Sequence, residues 1–347
     1  MSSLPTVSIL LPVRNAGAHL YEAMASLVSQ TFDALEVVCV DDGSTDDTPD
    51  LLADWADRDG RIRVLRQGPL GIVAALERAR SSARGRLLAR MDGDDRASPT
   101  RIARQVALLE SEPDLAGCGC HVRYFPAESV RDGARRYEAW LNALSGPDDI
   151  AASIFVECPL AHPTLMLRSD VFDAVGGYRD GPWPEDYDLV LRLWSAGHRL
   201  GVVPDVLHEW REHPDRLSRV DPRYSLESFR ACKLHFLQRT LLERPRPVVV
   251  WGAGPVGKGW SRALRDVGVE VVAFVDVDPR KVGQSIHGAP VFEGSSFPRD
   301  ALDRLLGPGA PSALHLAAVG QAGARERIVS LLSGAGLGVL EDFVAVA

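Results

Sequence analysis

Apolar and polar residues alternate along the first part of the chain in a pattern that predicts strands and helices in turn. Short apolar runs bounded by turn residues are typical of buried strands, and apolar residues at every third or fourth position are typical of amphipathic helices. The predicted strands are Val7–Pro12, Glu36–Val40, Ile62–Leu65 and Arg86–Met91, and the predicted helices are Ala18–Ser29, Thr48–Asp57 and Gly71–Ala83. This alternation predicts a parallel, doubly wound α/β sheet.

The pattern is less regular after this first group of elements. It predicts helices over Pro99–Glu110, Ala134–Ala152 (broken at Gly146-Pro147) and Tyr187–Ala196, and strands over Leu115–Phe125, Gly201–Pro204 and Leu207–Arg211. A linking helix is predicted near Glu227–Leu242, and the proline-rich run Glu243–Pro247 marks a boundary before a second α/β region. The sequence therefore predicts three segments, residues 1–222, 223–244 and 245–347.

Polar clusters follow three of the predicted strands, at Pro12–Asn15, Asp41–Ser44 and Asp92–Asp95. Ligands of doubly wound sheets bind beyond the carboxyl ends of the strands, so we expect these clusters to line one crevice. Carboxylates crowded in Asp92–Asp95 raise each other's pKa unless a cation compensates, and Mg²⁺ or Mn²⁺ is the natural oxygen-liganded cation. Taken alone, this stretch is either a metal site or a solvated acidic turn.

Composition excludes several classes of function. The chain of 347 residues has a formal net charge of -8 and is 46% hydrophobic, which is ordinary for a globular protein and argues against nucleic acid as a partner. No apolar run approaches the ~20 residues of a membrane span, and no signal peptide is visible. The odd count of five cysteines, with no signal peptide visible, favours reduced thiols and a cytoplasmic location.

The second α/β region contains a glycine-rich turn. Gly252, Gly254 and Gly257 form a Gly-x-Gly-x-x-Gly pattern between a predicted strand and helix, and Asp276 ends the next predicted strand. This is the context of a dinucleotide-binding fingerprint. No dehydrogenase constellation accompanies it, so hydride chemistry with NAD(P) is not expected, and nucleotide binding and a pure assembly role remain open alternatives.

Several motifs together resemble family 2 glycosyltransferases of the GT-A fold. They are Leu11–Asn15, Asp41–Asp46, Met91–Asp95, His162–Thr164, Gly176–Tyr178, Glu185–Leu189 and His213–Asp215, in the order of the family. The resemblance covers residues 7 to about 218 and implies a mixed, mainly parallel sheet between helices, followed here by a small Rossmann-like α/β domain. It also implies a nucleotide-sugar donor, a divalent metal (Mn²⁺ or Mg²⁺) and inversion at the anomeric carbon.

The resemblance also implies roles for individual residues at the donor side. The nucleoside-binding candidates are Pro12, Arg14, Asn15, Asp41 and Asp42, with Asp42 favoured by position for the base and a turn or helix cap as the alternative for either aspartate. Asp92 is expected near the ribose or a metal-bound water, and Asp94 is expected to ligate the metal, with Asp95 a third candidate. Arg90 is a donor-side candidate that is equally explained as a structural arginine.

On the acceptor side, the family places its general base at the second residue of Glu-Asp, which makes Asp186 the base and Glu185 the runner-up. Both also lie at a predicted helix N-terminus, where acidic residues are favourable on electrostatic grounds alone. His162 is a candidate for phosphate or acceptor contact, or else a structural histidine. His213 is favoured over Arg211 for the diphosphate or its metal.

These inferences predict a metal-dependent inverting glycosyltransferase. The donor is expected to be a nucleotide-diphosphate sugar, with uridine the family default, and the acceptor a hydroxyl of a glycan, a lipid-linked sugar or a small molecule. The processive Gln-x-x-Arg-Trp motif is absent, which favours single-sugar transfer within polysaccharide or related biosynthesis. The alternatives are an NAD(P)-dependent sugar-modifying oxidoreductase and a nucleotide-binding regulator. Peripheral membrane association and homo-oligomerisation through the C-terminal domain stay open.

Overall fold

The structure is a computed structural model that describes residues 4–309, 311–321 and 323–347. By its internal contacts the chain divides into two compact units. The first comprises residues 1–151 and 158–224, and the second comprises residues 152–157 and 225–347. The linking helix predicted from the sequence thus packs as part of the second unit.

The first unit contains the following elements. Its strands are β1 (Val7–Val13), β2 (Leu35–Asp42), β3 (Ile62–Gln67), β4 (Leu87–Arg90), β5 (Arg96–Ala97), β6 (Leu115–Phe125), β7 (Met166–Arg168) and β8 (Arg199–Arg211). Its helices are α1 (Gly17–Val28), α2 (Thr48–Arg58), α3 (Ile72–Ser82), α4 (Arg101–Ser111), α5 (Asp132–Leu141), α6 (Pro147–Ala152), α7 (Ser169–Ala174), α8 (Glu185–Ser195) and α9 (Leu217–Val220).

These strands form one mixed sheet in the order β3-β2-β1-β4-β7-β6-β8-β5. The four strands from β3 to β4 are parallel, β7 runs antiparallel to both of its neighbours, and β6 and β8 are parallel. The chain leaves β1 toward β2 on one side and later returns to β4 on the other. The carboxyl ends of β1 and β4 therefore flank a topological switch point, where doubly wound sheets bind ligands.

Burial explains why the central strands carry continuous apolar runs. Every residue of β2 and β4 is buried, and helices pack on both faces of the parallel part of the sheet. The core includes Ile9, Leu11, Leu20, Met24, Val37, Cys39, Ala89 and Met91. Full burial of each large aliphatic side chain contributes about 1.5–3 kcal/mol to folding, so this core supplies a rigid base for the strand ends.

The C-terminal part of the sheet differs from the sequence prediction in one respect. Gly201–Pro204 and Leu207–Arg211, predicted as two strands, belong to the single strand β8. Proline cannot donate a ladder hydrogen bond, and the register of β6 against β8 shifts between Cys120–Val203 and His121–Val206, so Pro204 lies in a bulge. The strand therefore continues through a proline that the sequence pattern treats as a stop.

The second unit contains a separate sheet. Its strands are β9 (Val248–Trp251), β10 (Val271–Asp276), β11 (Ser285–Ile286), β12 (Ala289–Glu293), β13 (Leu314–Ala317) and β14 (Phe343–Ala345), and its helices are α10 (Leu226–Arg239), α11 (Pro255–Asp266), α12 (Arg299–Leu306) and α13 (Ala324–Gly334). The order is β11-β12-β10-β9-β13-β14, with all neighbours parallel except β11 and β12. The α/β class predicted for both regions is confirmed.

The helices bear on the question of membrane insertion. Among the residues that the structure describes, none of the helices combines the length and the apolar character needed to traverse a lipid bilayer.

Candidate active site

Three polar strand ends meet at one edge of the first sheet. β2, β1 and β4 are successive parallel neighbours, so the turns after Val13, Asp42 and Arg90 emerge side by side. The turns also bond to one another, since Asn15 Oδ1 accepts from the Thr45 backbone N–H at 2.8 Å and the Asn15 N–H donates to Ser44 Oγ at 2.9 Å. The structure thus brings together the clusters that the sequence places far apart.

Close packing fixes the distance between the first and third of these turns. A Cβ added to Gly93 would lie 2.7 Å from Val13 Cγ1, which is closer than side-chain atoms approach. A side chain at this position would require Val13 to move, so the acidic turn lies directly against the end of β1. Pro12 is half-buried in β1, and Arg14 and Asn15 are exposed beside it.

The two adjacent aspartates at the end of β2 have different surroundings. Asp42 accepts hydrogen bonds from Gln67 Nε2 at 2.7 Å, from the Leu70 N–H at 2.9 Å and from the Gly71 N–H at 2.9 Å. Asp41 accepts from the Ser44 N–H at 3.0 Å. Two of these hydrogen bonds hold the loop before α3 and the third holds the end of β3, whereas Asp41 has more acceptor capacity left for a ligand.

The three carboxylates after β4 form a compact acidic group. Oxygens of Asp92, Asp94 and Asp95 lie within 4.8 Å of one another, and His213 Nε2 lies 2.9 Å from Asp94 Oδ2. Asp95 is fully buried, and its pKa is raised by that burial and by the charge of Asp92. A divalent cation would offset this penalty, and a group of carboxylate ligands suits Mg²⁺ or Mn²⁺. The donor set fits the metal that the resemblance implies.

Arg211 holds the acidic turn in place. Its backbone N–H donates to Asp95 Oδ1 at 2.7 Å, and its Nε donates to the Asp94 carbonyl at 2.7 Å. The guanidinium also lies over the Phe125 ring at 4.4 Å and pairs with Glu22. The structure therefore places Arg211 at the site, where its hydrogen bonds and ion pair are made with protein groups of the acidic turn and with Glu22.

Arg90 lies beneath the acidic group. It is 3% exposed and forms an ion pair with Asp92. Its Nη1 makes this ion pair, whereas its Nε has no acceptor at hydrogen-bonding geometry within the described residues. A buried donor without an acceptor is costly, so both the open Nε of Arg90 and its ion pair with Asp92 belong to the electrostatic balance of the site.

Glu185 and Asp186 begin α8 but differ in exposure. Glu185 is 1% exposed and accepts from the Tyr224 hydroxyl at 2.9 Å and 3.0 Å, and burial raises its pKa. Asp186 is partly exposed, and its Oδ1 accepts from the Tyr187 N–H at 2.7 Å. Asp186 is therefore the carboxylate of this pair that an acceptor can reach.

His162 is buried and shares a hydrogen bond with a tyrosine. Its Nε2 lies 2.7 Å from the Tyr178 hydroxyl, and its pKa is well below the usual range because of burial and the nearby Arg90 charge. The imidazole is therefore neutral at physiological pH. This environment agrees better with a structural histidine than with a cationic phosphate ligand.

Sequence reasoning missed several of these contacts. The motif Gly176–Tyr178 gives no sign of a hydrogen bond between Tyr178 and His162, and Tyr224 carries no local signal. Arg101 and Gln105, both buried, lie four residues apart beside the apolar face Ile102, Val106 and Leu109 of α4. Polar residues at that spacing beside an apolar stripe were the one available signal of a buried polar network.

The glycine-rich turn of the second unit follows β9. Gly252 has φ +107°, and a Cβ added to Gly257 would lie 1.8 Å from the Gly252 carbonyl, so both positions require glycine. Asp276 accepts from the Ala253 N–H at 2.7 Å, the Asp278 N–H at 2.8 Å and Lys281 Nζ at 3.0 Å. The Asp276 carboxylate is thus already hydrogen-bonded to the glycine-rich turn and to the residues that follow β10.

Comparison with known proteins agrees with the fold and identifies the family. Residues 8–176 match the family model "Glycosyl transferase family 2". The chain is 31% identical over 242 residues to the putative glycosyltransferase EpsE of Bacillus subtilis (strain 168), an alignment that covers 67% of this chain and 84% of that protein. This chain therefore belongs to glycosyl transferase family 2, and it is a glycosyltransferase.

Two solved structures share the fold. Residues 1–349 of TarS from S. aureus, in complex with UDP-GlcNAc, align with a TM-score of 0.54 at 17% identity over 67% of this chain and 66% of that chain. The mannosyltransferase PcManGT from Pyrobaculum calidifontis, in complex with GDP-Man and Mn²⁺, aligns with a TM-score of 0.50 at 19% identity over 68% of this chain and 63% of that chain. At these identities the similarity concerns the fold.

Proposed function

We propose that the protein transfers a sugar from a nucleotide-diphosphate donor to an acceptor hydroxyl, with inversion and with a divalent metal. The observation that carries this proposal is the acidic group Asp92, Asp94 and Asp95 at the switch point, with His213 beside it. The two structural neighbours are solved with UDP-GlcNAc and with GDP-Man and Mn²⁺, which supports a donor of the same chemical class. Uridine is the nucleoside expected here.

The donor would lie across the ends of β1, β2 and β4. Pro12, Arg14 and Asn15 would line the nucleoside on one side and Asp41 and Asp42 on the other. The hydrogen bonds of the two aspartates support Asp41 rather than Asp42 as the base contact, because Asp42 already holds the Leu70 and Gly71 backbone. This reverses the preference drawn from sequence position.

The diphosphate would lie over the acidic group. Asp94 and His213 are suited to ligate the metal directly, and Asp92 to bind it directly or through water. When bound, a divalent cation neutralises charge on the departing nucleoside diphosphate. Arg211 keeps Asp94 and Asp95 in place through its two hydrogen bonds, and Arg90 offsets part of the negative charge of Asp92.

Asp186 would act as the general base. An inverting transfer needs one carboxylate that takes the proton of the acceptor hydroxyl while the oxygen attacks the anomeric carbon opposite the leaving group. Asp186 is the partly exposed member of the pair at the start of α8, and Glu185 is buried against Tyr224. Glu185 is suited to fix the beginning of α8. The acceptor would be a glycan, a lipid-linked sugar or a small molecule.

A donor screen tests this function. Thermal unfolding of the protein is measured with Mn²⁺ and a panel of UDP-, GDP-, dTDP- and CMP-sugars, and donors that stabilise it are followed by a hydrolysis assay. We expect stabilisation and slow hydrolysis with at least one nucleotide-diphosphate sugar, and only with the metal present. Stabilisation that is unchanged by EDTA would contradict the metal, and stabilisation by NAD(P) alone would favour the oxidoreductase alternative.

A further inference from the structure

Three buried polar side chains are linked by hydrogen bonds in a row that ends at Asp95 of the acidic group. Arg101 Nη1 lies 3.3 Å from His208 Nδ1, and His208 Nε2 lies 2.8 Å from Asp95 Oδ2. None of the three residues is more than 1% exposed. This Arg101–His208–Asp95 relay is not explained by the transfer chemistry described above, because neither Arg101 nor His208 reaches the surface of the site.

The chemistry of the three groups fixes the direction of the hydrogen bonds. A guanidinium stays protonated and can only donate, so His208 Nδ1 must be the acceptor in its contact with Arg101. An imidazole that accepts at Nδ1 carries its proton at Nε2. His208 therefore donates from Nε2 to Asp95, and the relay has one polarity, from the cation to the carboxylate.

The relay also orients the carboxylate. Asp95 Oδ1 accepts from the Arg211 N–H at 2.7 Å, so each oxygen of Asp95 accepts from one N–H donor. Arg101 in turn bonds to the Arg90 carbonyl at the end of β4 and to Gln105 Oε1. The same guanidinium thus anchors the strand that leads to Asp92 and the histidine that holds Asp95.

We propose that His208 is a positioning residue that sets the divalent-metal affinity of the Asp92–Asp94–Asp95 group. It does so by holding Asp95, the third candidate ligand of this group, at a fixed orientation through the Nε2 hydrogen bond. Groups that orient metal-binding side chains typically contribute 10- to 100-fold to metal affinity. The inference rests on the metal in the proposed function. It adds a residue that influences metal affinity without itself being a metal ligand.

Two substitutions separate the two ends of the relay. A glutamine amide reaches the place of His Nε2, so His208→Gln keeps a donor for Asp95 and loses the acceptor for Arg101. An asparagine amide reaches only the place of Nδ1, so His208→Asn keeps an acceptor for Arg101 and leaves Asp95 Oδ2 without a donor. A role in folding alone depends on the buried ring and predicts similar metal affinity for both variants once folded.

The test is a calorimetric titration of the full chain with MnCl₂, without donor or acceptor. We expect the Mn²⁺ Kd of His208→Asn to rise about 10- to 100-fold, and that of His208→Gln to rise by clearly less than tenfold. His315→Gln is the matched control, because His315 is a buried histidine of the second unit that accepts from Trp251 Nε1 at 2.9 Å. Its Mn²⁺ affinity should equal that of the wild type.

The outcomes separate this inference from the proposed function. Wild-type Mn²⁺ binding together with an unchanged Kd in folded His208→Asn would overturn the inference alone, as would equal losses in both variants. Absence of Mn²⁺ binding in the wild type would overturn the proposed metal and this inference with it. If His208→Asn does not fold, His208→Phe, which keeps a ring but no donor, carries the same expected loss of affinity.

Discussion

The two units contain similar turns whose aspartates have pKa values shifted in opposite directions. In each, a loop follows a central parallel strand at a topological switch point, after β4 in the first unit and after β9 in the second. In the first, burial and a neighbouring charge raise the pKa of Asp95, and Arg90 Nε has no acceptor among the described residues. In the second, Asp276 accepts from two backbone N–H groups and Lys281, which lower its pKa against the effect of burial.

This difference shows that a binding motif is judged by its unsatisfied groups. Buried polar groups are usually paired within a protein, so crowded like charges and open donors indicate a ligand that completes them. The acidic turn of the first unit has such a deficit. The glycine-rich turn of the second unit matches a dinucleotide pattern in sequence, but its acidic residue is already paired, which favours an assembly role over nucleotide binding.

The largest expected effect comes from removing a metal ligand in the first unit. Asp94→Ala deletes the carboxylate nearest His213 and should reduce sugar transfer by about 10³-fold, the upper range for loss of a charge-stabilising group. The measurement is steady-state transfer or donor hydrolysis with saturating Mn²⁺. Wild-type turnover in this variant would show that the acidic turn is only a solvated loop.

A second large effect is expected at the proposed base. Asp186→Asn should retain donor binding while transfer falls at least ~100-fold, because a positioned base contributes about 10²- to 10⁴-fold. The control is Asp180→Asn, an exposed carboxylate that precedes α8, which should leave transfer unchanged. Donor affinity and turnover are measured separately. Unchanged turnover in Asp186→Asn would remove this residue from the role.

The second unit offers a matched pair of glycine substitutions. A Cβ at Gly257 would meet the Gly252 carbonyl at 1.8 Å, whereas a Cβ at Gly254 has no atom within 4 Å among the described residues. Gly257→Ala should lower the free energy of unfolding of the second unit by about 1–3 kcal/mol, and Gly254→Ala should change it little. Chemical denaturation checks both. Loss of transfer in folded Gly254→Ala would assign the turn a part in catalysis.

The smallest effect is a pH dependence at Glu185. Because burial raises the pKa of Glu185 in the folded state, folding retains its proton, and this contribution to stability is complete below pH about 4.5 and is lost as the pH rises through the raised pKa. Glu185→Gln lacks this loss. The Tm of Glu185→Gln minus that of the wild type should therefore grow as the pH rises from about 4.5 through the raised pKa of Glu185. A difference that does not change with pH would show that burial does not raise this pKa.

Much of the fold is predictable from the sequence because its elements obey simple periodicity. The predicted strand Leu115–Phe125 coincides with β6, and the three polar strand ends converge as their order along a parallel sheet requires. Periodicity fails where tertiary pairing decides. The two-residue strand β5 exists only because it pairs with β8, and β8 passes through Pro204 because a bulge accommodates it.

The sequence indicates the acidic and histidine members of the candidate site, whose roles stay predictions, but not the residues that support them. The residues that motifs identify, Asp94, Asp186 and His213, lie where a ligand can reach them. Arg101, His208 and Tyr224 are separated from their partners by many positions, and only the folded chain shows the hydrogen bonds that give them roles. The choice between Asp41 and Asp42 likewise depends on backbone groups of a distant loop.

The central claim is that the acidic turn after β4, and not the glycine-rich turn after β9, binds the metal and the donor. The most direct measurement is calorimetric binding of UDP, or of the nucleoside diphosphate of the donor that the screen identifies, with and without Mn²⁺, to wild type, Asp94→Ala and Gly254→Ala. We predict Mn²⁺-dependent binding to wild type and Gly254→Ala and none to Asp94→Ala. Binding that survives Asp94→Ala and disappears in Gly254→Ala would contradict the account.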